Sequence, residues 1–309
     1  MGNVPRPLQA HVRSPASMSL DLNSLLDLPA SQDQRPLTII TSDDLNNSAF
    51  AFHTLIQSKV KSLRSAARQQ QQSVPVSLIL VCLNQSYSHY ASVAAKSFGL
   101  NLKSLREQGT LQVIDIVKDV QDYSPAANAC ALDVEKLEHD LSSLISAATT
   151  PTTTTSPPAP SCPTSLILID DVRVLLALGI PVARVHLFLE RVPSLCCRCH
   201  ARLVIQSHMD PADGRNSRLD HGQDEDADND DDEDGAEEDP GLRRLLACLI
   251  ACADVWIDFQ KLRTGFSDKV DGSLFLYDYT RNSSHGLPVR YHYKTMERST
   301  RICTPGGFM

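Results

Sequence analysis

Between Gly2 and Gly99 the chain contains no glycine at all. That absence excludes a phosphate-binding loop from the first third of the molecule. Such a loop needs glycines for close backbone approach to phosphate, a lysine for the terminal phosphates and a Ser/Thr for magnesium. Long apolar runs are missing too: Ser77 to Leu83 and Ser165 to Ile169 fall well short of the roughly 20 residues a membrane helix needs, so no membrane span is expected. Met1 to Ser17 holds three prolines, two arginines and no continuous apolar run, which does not fit the core of a secretory signal. Residues 1–18 are expected to be a disordered leader. Basic residues are absent from Asp224 to Asp239, a run with 12 carboxylates; removing them from the net charge of -8 leaves the rest of the chain at +4. The acidity is therefore local, and a polyanionic partner stays compatible with the remaining surface.

Cysteine is present, nine in all, but it is odd in number and irregularly spaced. Several cysteines sit inside apolar segments, where a free thiol packs as a small hydrophobe, so no disulfides and a reducing compartment are expected. That means the cytoplasm, with the nucleus as a second location. Cys196-Cys197-Arg198-Cys199-His200 offers soft metal ligands, yet no second C-x2-C pair stands at a matching distance. Cys248 and Cys252 are expected on the buried side of a helix, and no metal or cofactor is expected.

What is there is an alternation of short apolar runs with longer helical patterns, the mark of an α/β fold with a mostly parallel sheet flanked by helices. Leu37 to Thr41 is a strand followed by a helix over Asn46 to Arg64. Val76 to Leu83 is a strand feeding Ser86, which caps a helix running to Phe98 that Gly99 stops. Leu111 to Ile116 is a third strand, and Val134, Leu137, Leu141, Leu144 and Ile145 stripe a helix over Leu132 to Ser146. Ser165 to Ile169, Arg202 to Gln206 and Asp254 to Phe259 are further strands. Helices are expected to begin at Pro181 and to span Gly241 to Ala253. Ser273 to Tyr279 and Val289 to Lys294 read as antiparallel strands at the C-terminal edge, with Asp271-Gly272 as a hairpin turn signal. Residues 19–303 thus read as one domain with flexible insertions at 149–163, a Thr/Pro/Ser tract, and at 209–240; residues 304–309 form a tail.

Three places carry chemical hints. Leu166 to Ile169 ends in Asp170-Asp171, an arrangement that holds magnesium at a strand's carboxyl edge in nucleotide hydrolases. Its bland alternative is a solvated strand end with a helix-capping role. The loop after the first strand, Ser42-Asp43-Asp44-Leu45-Asn46-Asn47, puts two carboxylates where a phosphate would sit, so these charges repel a nucleotide. Asn84 and the six residues Gln85-Ser86-Tyr87-Ser88-His89-Tyr90 follow a strand's carboxyl edge, where α/β proteins place ligands. They read equally well as a helix cap with Tyr87 and Tyr90 packing one face, and His89 has no nucleophile beside it. Lys261, Arg263 and Lys269 surround a turn and are candidate RNA contacts, in a segment that is also an ordinary hairpin loop.

Four segments in order resemble the Elongator complex protein 6 family, the sixth subunit of Elongator. These are Leu83 to Gly99 with Gln85 to Tyr90, Leu166 to Gly179 with Asp170-Asp171-Val172, Leu262 to Gly272 with Thr264-Gly265-Phe266, and Val289 to Lys294. Ser19 to Leu28 is similar to the family's N-terminal segment. The resemblance implies a RecA-like ATPase fold without working nucleotide-binding motifs, and no enzymatic activity of its own. It implies a hetero-hexameric ring with the fourth and fifth Elongator subunits, which attaches to the catalytic Elongator subcomplex and binds tRNA. Modification of the wobble uridine falls to another subunit. The family-motif residues are then structural. In RecA-like rings the loop after the strand matching Arg202 to Gln206 faces the pore, and here it carries the acidic run. A rival reading is a diverged ring NTPase that uses Asp170 and Asp171 with a neighbouring subunit. A third is an acidic scaffold for basic nuclear proteins.

Overall fold

Strands buried on both faces appear in a sequence as unbroken apolar runs, and two such runs lie side by side in the parallel part of the sheet. In the computed structural model β3 (Leu78–Cys82) and β5 (Ser165–Ile169) pair in parallel, and every residue of both is buried. The structure describes residues 20–22, 37–43, 45–69, 78–119, 132–149, 165–208, 240–262, 267–279, 288–296 and 299–305. The Thr/Pro/Ser tract beyond Thr149, the acidic run, and Arg263, Thr264, Gly265 and Phe266 lie outside these residues.

The other elements, in chain order, are β1 (Leu20–Asp21), β2 (Leu37–Ser42), α1 (Leu45–Gln69), α2 (Tyr87–Phe98), α3 (Leu102–Glu107), β4 (Leu111–Asp115), α4 (Ile116–Asp119) and α5 (Val134–Thr149). After β5 come α6 (Arg173–Ala177), α7 (Val182–Arg198), β6 (Ala201–His208), α8 (Pro240–Cys252), β7 (Val255–Lys261), β8 (Gly272–Asp278), β9 (Val289–Thr295) and β10 (Thr300–Cys303). Among the described residues the strands make one sheet in the order β1-β10-β9-β8-β7-β2-β6-β5-β3-β4. From β4 to β7 all pairings are parallel; β8, β9, β10 and β1 add on in antiparallel fashion. The antiparallel edge therefore holds four strands where the sequence pointed to two. Strands of four and two residues are too short to show an alternation.

Helices cover both faces. One core joins α1, α2 and α3 to the sheet through Phe52, Ile56, Tyr87, Tyr90 and Leu102, together with Leu22 just beyond β1. The other joins α5, α6, α7 and α8 through Leu137, Leu141, Leu175, Phe188 and Leu245. Each such side chain taken fully out of water contributes about 1.5–3 kcal/mol before entropy is counted. Cys248 and Cys252 are only half-buried, and the buried stripe of α8 is Leu245 and Leu249, so that expectation is corrected. Cys82 and Cys196 are the thiols that pack inside, and burial pushes the Cys196 pKa up to about 12.

The helix ends follow from local chemistry. Ser86 Oγ accepts the His89 N–H at 3.4 Å at the start of α2. At its end Gly99 takes φ +63, and the Leu100 N–H bonds back to Ala94 O at 3.0 Å. Asp271-Gly272 is not the tip of a tight hairpin. Gly272 is the first residue of β8, paired with Lys261 and Tyr293 across a ten-residue connection, 262–271. It is glycine for lack of room: an added Cβ would stand 2.7 Å from the Tyr293 ring and closer still to the Gln260 carbonyl.

Candidate functional site

In an open α/β sheet the ligand crevice lies beyond the carboxyl ends of adjacent strands whose connections leave on opposite faces. Strands β2 and β6 are such a pair, since β2 leads to α1 on one face and β6 to α8 on the other. Several polar groups at this edge pair with one another. Ser42 stands opposite His208, whose Nδ1 lies 2.9 Å from Asp171 Oδ2. Gln206 Nε2 donates to Ser48 Oγ at 2.6 Å, and both residues are buried. Arg173 donates to the His208 carbonyl at 2.8 Å.

The loop after β2 is sewn to β7. The Asp43 N–H bonds to Phe259 O at 3.3 Å, and Asp43 Oδ2 accepts the Lys261 N–H at 2.9 Å. Asp43 thus places a carboxylate, already holding a neighbouring strand's amide, at the start of this loop. Thr41 donates to Asp258 Oδ1 at 2.7 Å one step behind it.

Asp170 reverses the expectation of a solvated strand end. It is 2% exposed and caps no helix. Its carboxylate accepts the backbone N–H groups of Leu83, Asn84 (3.0 Å) and Gln85 (3.0 Å), and the Tyr90 hydroxyl donates to it at 2.9 Å. Burial pushes the Asp170 pKa up, opposed by the three amides and the phenol. Successive N–H groups after a strand form a nest of the kind that binds anions, and Asp170 is the anion that fills this one. Asp171 is 7% exposed, sits at φ +38, and accepts the His208 N–H at 3.4 Å while Asn84 Nδ2 approaches at 3.5 Å. With four donors on its two oxygens, Asp170 has no lone pair left for a magnesium ion.

The structure therefore brings Gln85, Tyr90, Asp170 and Asp171 together and explains their neighbours. Ser86 is the cap and exchanges a hydrogen bond with Ser88 at 2.8 Å; Tyr87 is buried, with Arg106 over its ring at 5.1 Å; His89 is exposed. Sequence reasoning missed Asp115, the last residue of β4, which accepts the Tyr87 N–H at 2.9 Å and the Lys118 N–H at 3.2 Å. An Asp ending an apolar run was the available signal, identical to that of Asp170. It also missed His208, for which the sequence offered no cue. Lys261, the last residue of β7, and Lys269, in the connection to β8, are both exposed.

A mostly parallel sheet of this order, flanked by helices and extended by antiparallel C-terminal strands, defines a RecA-type domain. A KaiC-like protein from the hyperthermophilic archaeon Pyrococcus horikoshii OT3 shares the fold, with a TM-score of 0.50 and 9% identity over 87% of this chain and 90% of its own. The chain belongs to the Elongation complex protein 6 family, whose model matches residues 20–297. It is 26% identical over 298 residues to Elongator complex protein 6 of Xenopus tropicalis, and 24% identical over 297 residues to that of Xenopus laevis. Each match covers 93% of this chain and 97% of the relative.

Proposed function

We propose that the chain serves Elongator as a non-catalytic subunit, joining the fourth and fifth subunits in a hetero-hexameric RecA-type ring that attaches to the catalytic subcomplex. The ring binds tRNA and supports wobble-uridine modification carried out elsewhere in the complex. Family membership supports the place in Elongator. The observation that carries the non-catalytic reading is Asp170, engaged by three backbone amides and a tyrosine and so withdrawn from metal chemistry.

Co-expression with the fourth and fifth subunits, followed by measurement of the assembly's mass and of tRNA binding, tests this reading. A six-membered assembly that binds tRNA supports it; a chain that separates from the co-expressed fourth and fifth subunits contradicts it. Substituting Asp170→Asn and Asp171→Asn together should leave any ATP hydrolysis rate unchanged in the fraction whose mass shows the six-membered assembly intact, whereas a fall in that intact fraction would favour the ring NTPase. The 12 carboxylates between Asp224 and Asp239 repel phosphate. Deleting residues 223–239 should therefore tighten tRNA binding, most at low salt. Unchanged affinity would remove any gating role from that run.

A further inference from the structure

The helices on one face of the sheet carry charge of almost one sign. Neither α1 nor α2 contains an Asp or Glu, and α3 contains one, Glu107. Against that single carboxylate the three helices hold seven Lys and Arg, a net of +6. The chain outside the acidic run sums to +4, so with this layer also set aside the remainder stands at -2. The helices of the other face, α5 to α8, mix seven bases with four carboxylates, and Glu135 and Glu138 hold Arg184 and Arg191 at 2.7 and 3.1 Å. A face that serves solubility alone mixes its signs in that way.

The bases face outward on neighbouring helices. Lys61, Arg64, Lys96, Lys103 and Arg106 are all exposed. The three helices share one core and stand side by side: the His53 ring of α1 lies 5.3 Å from Tyr90 and 6.3 Å from Phe98 of α2, and Arg106 of α3 lies over the Tyr87 ring at 5.1 Å. Lys96 is two residues before Phe98 on α2. Lys61 follows His53 by two turns of α1, about 12 Å, and Arg64 is its neighbour on the same helix face. Lys103 and Arg106 are neighbours in the same way on α3. Helices packed at 8–10 Å make this strip about 20 Å across.

We infer that the outer face of α1, α2 and α3 is a docking surface for the phosphate backbone of double-helical RNA, with Lys61, Arg64, Lys96 and Lys103 on the phosphates. The inference rests on the RNA-binding reading above and locates it. An RNA duplex is recognised by its shape and backbone, which calls for cations spread over a surface and no aromatic platform. A single strand draws much of its binding from bases stacked on exposed rings, whereas Phe50, Phe52, Tyr87, Tyr90 and Phe98 of these helices are all buried or half-buried.

The test uses the purified full-length chain and a short fluorescent RNA duplex, with anisotropy read across a salt series. The combined substitutions Lys61→Gln, Arg64→Gln, Lys96→Gln and Lys103→Gln, each to a residue of similar helix propensity, should weaken binding by about tenfold or more. They should also reduce the slope of log affinity against log salt by about 3.6, or about 0.9 per lost contact. Lys96→Gln with Lys103→Gln should show half that change, which guards against misfolding of the fourfold variant. Arg198→Gln with Arg244→Gln, at exposed positions of the opposite layer, should leave affinity and slope unchanged. An equal loss per charge in this control means that bulk charge is at work and overturns the surface. Duplex binding that the fourfold variant retains, or a preference for an unstructured single strand, overturns it too and leaves the RNA-binding reading standing. A wild-type chain that binds no RNA also overturns the surface, and the reading is then decided by the co-expressed assembly. Capture of polyglutamate in preference to RNA reassigns the face to an acidic peptide and overturns the inference.

Discussion

Tyr90 and Asp170, 80 residues apart in the chain, are joined by a 2.9 Å hydrogen bond from phenol to carboxylate inside the protein. The bond ties α2 to the end of β5 and completes the set of donors around a carboxylate that has no access to water. Desolvation makes such a group costly unless every lone pair is used, and here they are.

Tyr90→Phe should therefore lower stability by about 1.5–3 kcal/mol, the range for a hydrogen bond to a charged group. Asp170→Ala should cost more, on the order of 4 kcal/mol, because it leaves three amides and a phenol unpaired. Urea unfolding of the two variants checks both the size and the ranking; equal costs would mean that the amides find other partners.

Gly272→Ala should destabilise by about 1–3 kcal/mol through overpacking, since the new methyl meets the Gln260 carbonyl and the Tyr293 ring. Gly99→Ala meets nothing within 4 Å, and its cost of about 1 kcal/mol comes from φ +63 alone. Combining Gly272→Ala with Tyr293→Leu separates the mechanisms: the pair should be less harmful than the sum if the ring is the obstacle.

Burial, and secondarily the nearby His89, pushes the His53 pKa down to about 4. The unfolded chain takes up the proton first, near pH 6.5, so the folded state loses stability as pH falls from about 6.5 towards 4 and is unaffected above that window. His53 stands in ring contact with Tyr90 at 5.3 Å and Phe98 at 6.3 Å. His53→Phe should keep this packing and flatten the dependence, with a difference from wild type of up to about 3 kcal/mol accumulating across the window. Parallel wild-type and variant curves of stability against pH would show that His53 does not titrate in this way.

Much of the fold was legible because its physics is local. The strands β3 and β5 are unbroken apolar runs, and α2 is bracketed by a serine that caps and a glycine that turns. The edge strands β10 and β1 were hidden, because so few residues show no period and their pairing is set by Leu22 and Ile302 reaching the core. At the site, sequence located Asp170 and misjudged its surroundings. The amides that hold it come from residues 85 to 87 positions away, and no spacing rule reports what a fold brings across such a gap. The acidic loop after β2 was read as repelling phosphate; the structure adds that Asp43 is bound to the Lys261 amide, a contact across 218 residues.

The central claim is that the molecule's own carboxylates have closed its nucleotide edge. Calorimetric titration of the purified chain with ATP and magnesium tests it most directly. The account predicts no saturable heat at millimolar nucleotide, for wild type and for Asp43→Asn alike. Tight, stoichiometric binding that is lost when Ser42 or Asp171 is substituted would contradict it.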